Sequence, residues 1–177
     1  NGKGSFEYHN VLDQVDIITS TFGKALGGAS GGFTSSSQEI INILRQKSRP
    51  YLFSNSLAPS TVYASIEAIK LIEKESDLRN KLINNTNYFR TKIKHLGFNI
   101  KEGEHPIVPI MINNAKIAKE LATDMLKKSI YVIAFSYPVV PKEQARIRVQ
   151  IGAHHTKKQL DQALEAFAYY GQEYNII

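Results

Sequence analysis

Between Asp16 and Glu39 the chain carries a single charged side chain, Lys24, and five of its 11 glycines fall between Gly23 and Gly32. The β-branched run from Val15 to Thr19 reads as a strand. Ala29 to Thr34 reads as a second one, whose glycines allow another backbone to approach closely. The lysine therefore belongs to a glycine-rich connection between two extended segments, and every further reading of this region has to account for it.

Beyond Gln38 the pattern changes to alternating helices and strands. Glu39 to Gln46 reads as a short helix with Ile40, Ile43 and Leu44 on one face. Pro59-Ser60 opens a longer one that runs through Val62, Ile66 and Ile69 towards Lys74. Asp77 is the expected N-cap of the next, whose apolar stripe is Leu78, Leu82, Phe89, Ile93 and Leu96 and which Gly97 stops. Pro106 to Ile112 predicts a strand, Ile117, Leu121 and Met125 a helix, and Ile130 to Phe135 another strand. Arg146 to Ile151 alternates strictly, with Ile147, Val149 and Ile151 on one face and Arg146, Arg148 and Gln150 on the other. A capping box, Thr156 with Gln159, starts a last helix that turns Leu160, Ala163, Leu164 and Phe167 inward. The second part is thus an α+β unit of helices against a small sheet, and the first part reads as the end of a separate α/β layer.

Composition limits what such a chain does. At 177 residues, 42% hydrophobic and 21% charged, it can bury a core as one domain or two small ones. A net charge of +6 permits an anionic partner. The bases are spread, with Lys127-Lys128 and Lys157-Lys158 the longest runs, and form no cationic stripe interleaved with aromatics, so no nucleic-acid partner is expected. The absence of cysteine excludes disulfides, thiolate metal sites and a Cys nucleophile. No run approaches the ~18 apolar residues of a membrane span, and no membrane partner is expected. His154-His155 suits a loop or cap better than a metal pair, because adjacent side chains diverge, and no metal site is expected. Tyr169, Tyr170 and Tyr174 are expected to close a core at the end of the last helix. The first residues, Asn1 to Ser5, carry neither an initiator Met nor a signal peptide, so the chain reads as a fragment of a longer polypeptide.

Lys24 has three readings. A nucleotide P-loop fails, because Ile18 stands where its first glycine belongs and Ala25 follows the lysine. The dinucleotide fingerprint fails because the glycines come in adjacent pairs. A surface lysine would be the default, but no carboxylate lies within seven residues on either side. A lysine taken out of water without an anionic partner loses up to about 3–5 pKa units of proton affinity. That makes its amine nucleophilic enough to form an imine with a carbonyl cofactor. Thr19, Ser20 and Thr21 place hydroxyls nearby, suited to a phosphate.

Three long segments, Val15 to Phe33, Arg49 to Pro59 and Tyr137 to Arg148, closely resemble the α-oxoamine synthases, which are pyridoxal-phosphate (PLP) enzymes of the aspartate-aminotransferase fold. The resemblance runs from Gly2 to the C-terminus, and the wording Ser54-Asn-Ser-Leu-Ala-Pro59 is nearest to the members that join glycine to acetyl-CoA. It implies an α/β fold, with residues 1–70 the C-terminal part of the large PLP-binding domain and 71–177 the small C-terminal α+β domain. It implies that Lys24 holds PLP, that Thr21 contacts the cofactor phosphate, and that Ser54 and Asn55 reach the phosphate of a neighbouring subunit in a homodimer with shared sites. Arg148 would bind the substrate carboxylate through two parallel bonds. Alternation alone leaves Arg146 and Arg148 equivalent, and the family pattern selects Arg148. The activity implied is condensation of glycine with acetyl-CoA to 2-amino-3-ketobutyrate and CoA, or the reverse cleavage in threonine breakdown, in the cytoplasm or, in a eukaryote, the mitochondrial matrix. Another α-oxoamine synthase activity (amino-oxononanoate, aminolevulinate or sphingoid-base synthesis), or a non-catalytic subunit of the same fold, is the alternative. The family's Asp at the pyridine nitrogen, its ring-stacking His and its phosphate loop all lie upstream of Asn1, and neither Asp13 nor Asp16 matches that Asp.

Overall fold

The computed structural model describes residues 2–27 and 30–177. The chain divides into two compact units, Asn1–Ser76 and Asp77–Ile177.

In the first unit β1 (Ile17–Thr21) pairs antiparallel with β2 (Gly32–Ser36), in the register Ile17 to Ser36 and Thr21 to Gly32. β1 lies two residues further along than Val15 to Thr19, and β2 ends two residues beyond the expected Thr34, while Ala29, the expected start of the second strand, is outside the described residues. The shift has a local cause. Ser36 donates its hydroxyl to the Asp16 carbonyl at 2.6 Å, which closes the open end of the pair at Ile17. α1 (Ser5–Tyr8) precedes the pair, and α2 (Gln38–Lys47), α3 (Arg49–Leu52) and α4 (Pro59–Lys74) follow it. Among the described residues of this unit only Ser65 is buried.

In the second unit three strands form an antiparallel sheet in the order β3 (Ile107–Met111), β5 (Arg146–Gln150), β4 (Ile133–Phe135). α5 (Ser76–His95), α6 (Ala115–Lys127) and α7 (Lys157–Glu173) supply the helical part of the core. Phe89 and Ile93 from α5, Leu121 and Met125 from α6, Phe167 from α7 and Ile147 from β5 are all fully buried. The Phe167 ring meets Phe89 and Phe98 edge to face, at 6.3 and 5.8 Å.

Three helix ends close in the same way. The residue after the cap takes a positive φ, and two amides turn back onto the last carbonyls. Gly97 does this for α5, Ser129 for α6 and Asn175 for α7. The Ser129 closure explains why β4 is shorter than the expected strand from Ile130. The Ile130 amide donates to the Met125 carbonyl and so completes α6 instead of the sheet. Asp77 differs from its expected place too. α5 begins at Ser76, so Asp77 lies inside the first turn, where its carboxylate faces the positive end of the helix without capping it. Leu78, placed in the apolar stripe by spacing, is exposed. The capping box of α7 forms as read, with Thr156 accepting from the Gln159 amide and Gln159 accepting from the Thr156 amide.

The terminal tyrosines divide. Tyr170 is buried in the core, Tyr174 is half-buried and donates to Asp124, and Tyr169 is exposed with Lys128 over its ring. Arg90 is buried, which lowers the proton affinity of its guanidinium, and the Glu102 carboxylate offsets part of that cost. Its guanidinium donates to the carbonyls of Lys101, His105 and Ile107, which fixes the loop leading into β3.

His155 has the loop role expected of it. Its Nδ1 accepts from the Gly152 amide at 3.1 Å, and Asn85 on α5 donates to the carbonyls of Gly152 and His155. Burial, reinforced by the adjacent His154, holds the His155 imidazole below its usual range. The folded state therefore resists a proton that the unfolded chain accepts near its ordinary value. Stability is full above about pH 7 and declines as acidity passes through the unfolded and then the folded value. Urea unfolding followed by circular dichroism between pH 7 and 5.5 is expected to show this decline, and His155→Asn, which keeps an acceptor and cannot titrate, to flatten it.

Candidate active site

The loop from Phe22 to Gly31 joins β1 to β2, and Lys24 lies on it. Its base is tied by three bonds. The Phe22 amide donates to the Gly31 carbonyl at 3.0 Å, the Thr21 hydroxyl donates to the same carbonyl at 3.2 Å, and the Gly23 amide donates back to Thr21 Oγ1 at 3.1 Å. The Phe22 and Phe33 rings stack at 5.5 Å beside this closure. Gly32 is required there, because a Cβ would stand 2.4 Å from the Ser20 carbonyl oxygen across the pair. On the loop itself a turn from the Lys24 carbonyl to the Gly27 amide, 2.9 Å, brings the backbone round.

The Lys24 side chain is exposed and has no ion-pair or hydrogen-bond partner among the described residues. The lack of a neutralising carboxylate agrees with the spacing. Withdrawal from water, which the sequence reading asked for, is not supplied by the described residues. Thr21 has one hydroxyl proton, and it is engaged by Gly31; a lone pair remains open. The hydroxyls of Thr19 and Ser20 are exposed on the same strand.

Leu57 ties the second motif to this loop. A Cβ on Gly31, whose φ is +82°, would stand 2.3 Å from Leu57 Cδ2, so the leucine occupies the space that the glycine leaves. Ser54 and Asn55 lie just before it and are exposed. The loop of Lys24 and the Ser54–Leu57 segment thus come together within the first unit.

Arg148 lies in the second unit at the centre of β5, paired with Pro109 of β3 on one side and Ile133 of β4 on the other. Here the structure separates what alternation left equal. Arg146 donates Nε to the Gln144 carbonyl at 3.0 Å and Nη2 to Gln144 Oε1 at 3.1 Å, so its fork is taken. Arg148 is exposed, with its Cζ 4.0 Å from the centre of the Phe135 ring, and no acceptor among the described residues takes its N–H groups. A guanidinium presenting a vacant planar fork on a rigid strand is suited to a carboxylate. The Gln144 clamp has no periodic signal and could not be read from the sequence. Dicarbonyl labelling followed by peptide mass spectrometry is expected to modify Arg148 well ahead of Arg146; equal labelling of the two would contradict the difference in their partners.

The chain as a whole is similar to known proteins. Residues 2–167 match the family model described as aminotransferase class I and II. The chain is 50% identical over 177 residues to the 2-amino-3-ketobutyrate coenzyme A ligase of Escherichia coli (strain K12), covering all of this chain and 44% of that protein. The mitochondrial 2-amino-3-ketobutyrate coenzyme A ligase of Mus musculus is 48% identical over 171 residues, covering 97% and 41%. A high-resolution structure of SPT with a PLP internal aldimine superposes with a TM-score of 0.94 at 28% identity, over 100% of this chain and 45% of that one. The chain therefore spans less than half the length of the relatives it matches.

Proposed function

This chain belongs to the aminotransferase class I and II family, and from that premise we propose that it is the C-terminal part of an α-oxoamine synthase that condenses glycine with acetyl-CoA. In that reaction a Cα–H bond of glycine breaks and a bond forms from Cα to the acetyl carbonyl carbon. CoA leaves as its thiolate and takes up a proton, and 2-amino-3-ketobutyrate is the other product. The reverse direction cleaves the ketobutyrate with CoA as nucleophile, the step that follows threonine oxidation. The relatives at half identity support this acyl pair over others of the family. The observation that carries the reading is the vacant guanidinium of Arg148 on a strand whose other arginine is engaged.

The residues present fit PLP. Lys24 offers an amine without a counter-charge on a glycine-bounded loop, three residues after the Thr21 hydroxyl that ends β1. Lys24 would hold the cofactor through Nζ, and Thr21 would meet its phosphate by turning its hydroxyl away from the Gly31 carbonyl at 3.2 Å. When bound, PLP supplies an electron sink for the charge that develops at the glycine Cα. Arg148 grips the glycine carboxylate at two points and so fixes which Cα–H bond is aligned for removal. The Lys24 amine would take that proton and later return it. Ser54 and Asn55, exposed beside the loop, would reach the phosphate in a neighbouring subunit, which makes the enzyme a homodimer. The proposed compartment is the cytoplasm, or the mitochondrial matrix in a eukaryote; the mouse relative's name describes it as mitochondrial.

The complete polypeptide loaded with PLP is expected to be yellow, and Lys24→Ala to remove both the colour and the condensation. Borohydride reduction followed by peptide mapping should find the cofactor on Lys24, and a label on another lysine would refute the assignment. Sedimentation of the same holoenzyme is expected to show a dimer, with Asn55→Ala weakening PLP binding roughly 10- to 100-fold, the scale of one hydrogen bond to a charged group. A fully active monomer would overturn the shared site.

A further inference from the structure

Arg148 pairs with Ile133 across β4, yet the ring beneath its guanidinium is that of Phe135, the diagonal neighbour. Phe135 itself pairs with Arg146. Its ring is half-buried and takes no part in the core cluster, to which the adjacent Ala134 contributes from the opposite face of the strand. The ring is therefore not there to fill the interior. The Phe22 ring, beside β1, stacks on Phe33 of β2; the Phe135 ring lies under a cation.

We propose that Phe135 is a positioning residue for the carboxylate-binding arginine, a platform that orders the Arg148 fork before the amino acid arrives. The proposal rests on the reading of Arg148 given above. Three features support it. An aromatic face attracts a guanidinium through its quadrupole and holds it at about the 4.0 Å observed. It has no lone pair that would compete for the N–H groups, so every donor stays available for the carboxylate, unlike those of Arg146 on Gln144. Pro109 and Ile133, the strand partners of Arg148, also bring no side-chain acceptor to it. A long side chain ordered in advance loses less freedom on binding, and the gain appears as affinity for the substrate carboxylate and not as rate of the chemical step.

The test uses the complete PLP-loaded enzyme with glycine as the varied substrate. Phe135→Leu is expected to raise the glycine KM roughly 3- to 10-fold, the scale of a cation–π contact, with kcat nearly unchanged. Phe135→Tyr, which restores the ring, is expected to return KM to the wild-type value. A second readout needs no variant of Phe135. In the complete PLP-loaded enzyme the Arg148 Nε–H proton resonance should lie upfield of the Arg146 one through the ring current, and Arg148→Lys should shift the Phe135 ring signals. If Arg148→Lys raises the glycine KM while Phe135→Leu does not, the platform role is wrong and the carboxylate assignment stands. If Arg148→Lys leaves the glycine KM unchanged, the carboxylate assignment falls and takes this inference with it. A Phe135→Leu enzyme that loses kcat and KM together without rescue by Tyr would mark a merely structural residue and would likewise overturn the proposal.

Discussion

The two-residue period of β5 is the constraint on which the second unit depends. Ile147 and Val149 are buried at 0% and 8% exposure, and the strand is held on both edges, by β3 and by β4. A slip of one residue in either register would bring both arginines into the core and put both apolar side chains in water. The core that holds Ile147 in place, with Phe167, Leu121 and Ile93 around it, therefore also decides where Arg148 emerges. Buried Arg90 enters the same account. By holding the carbonyls of Lys101, His105 and Ile107 it sets where β3 begins, and β3 is the strand that carries Pro109 to the flank of Arg148.

What could be read in advance follows from which interactions are periodic or local. The alternation of β5, the capping box at Thr156 and the stop at Gly97 are short-range patterns, and each forms as written. The closure at Ser129 uses a residue type that rarely takes a positive φ, and it displaced the start of β4, whereas Asn175 is of a type that reaches that region readily. Arg90 and the Gln144 clamp depend on loops folding back onto a side chain, which leaves no mark on hydrophobic spacing. For the site, Lys24 stood out because its surroundings lack charge, and Arg148 because its motif is specific. The means by which Arg148 differs from Arg146 became visible only with their partners in place.

The first unit obeys a different balance. α4 carries Val62, Ile66 and Ile69 at helical spacing, and all three are exposed by more than a third. An amphipathic helix of this length gains most of its stability from burying such a face. A unit whose described residues bury only Ser65 has its sheet and loop geometry in place without a core of its own. That agrees with a chain that matches 44% of the length of its Escherichia coli relative, and it bears directly on Lys24, since a nucleophilic amine needs surroundings that favour its neutral form.

If Lys24 and Arg148 have the roles proposed for them, the two cations rest on opposite kinds of scaffold for physical reasons. A lysine that alternately binds a cofactor and moves a proton must change both its bonding and its charge. A flexible four-carbon stem on a glycine-bounded loop, closed at its base by Thr21 and Gly31, permits both. An arginine that reads a carboxylate must do neither. Its charge is permanent and its usefulness lies in a fixed plane, so it belongs on the central strand of a sheet, over a ring that holds the plane without occupying its donors. Exchanging the two residue types would fail at both places. A lysine at 148 would lose the two-point grip, and an arginine at 24 could not give up the proton that makes a nitrogen nucleophilic.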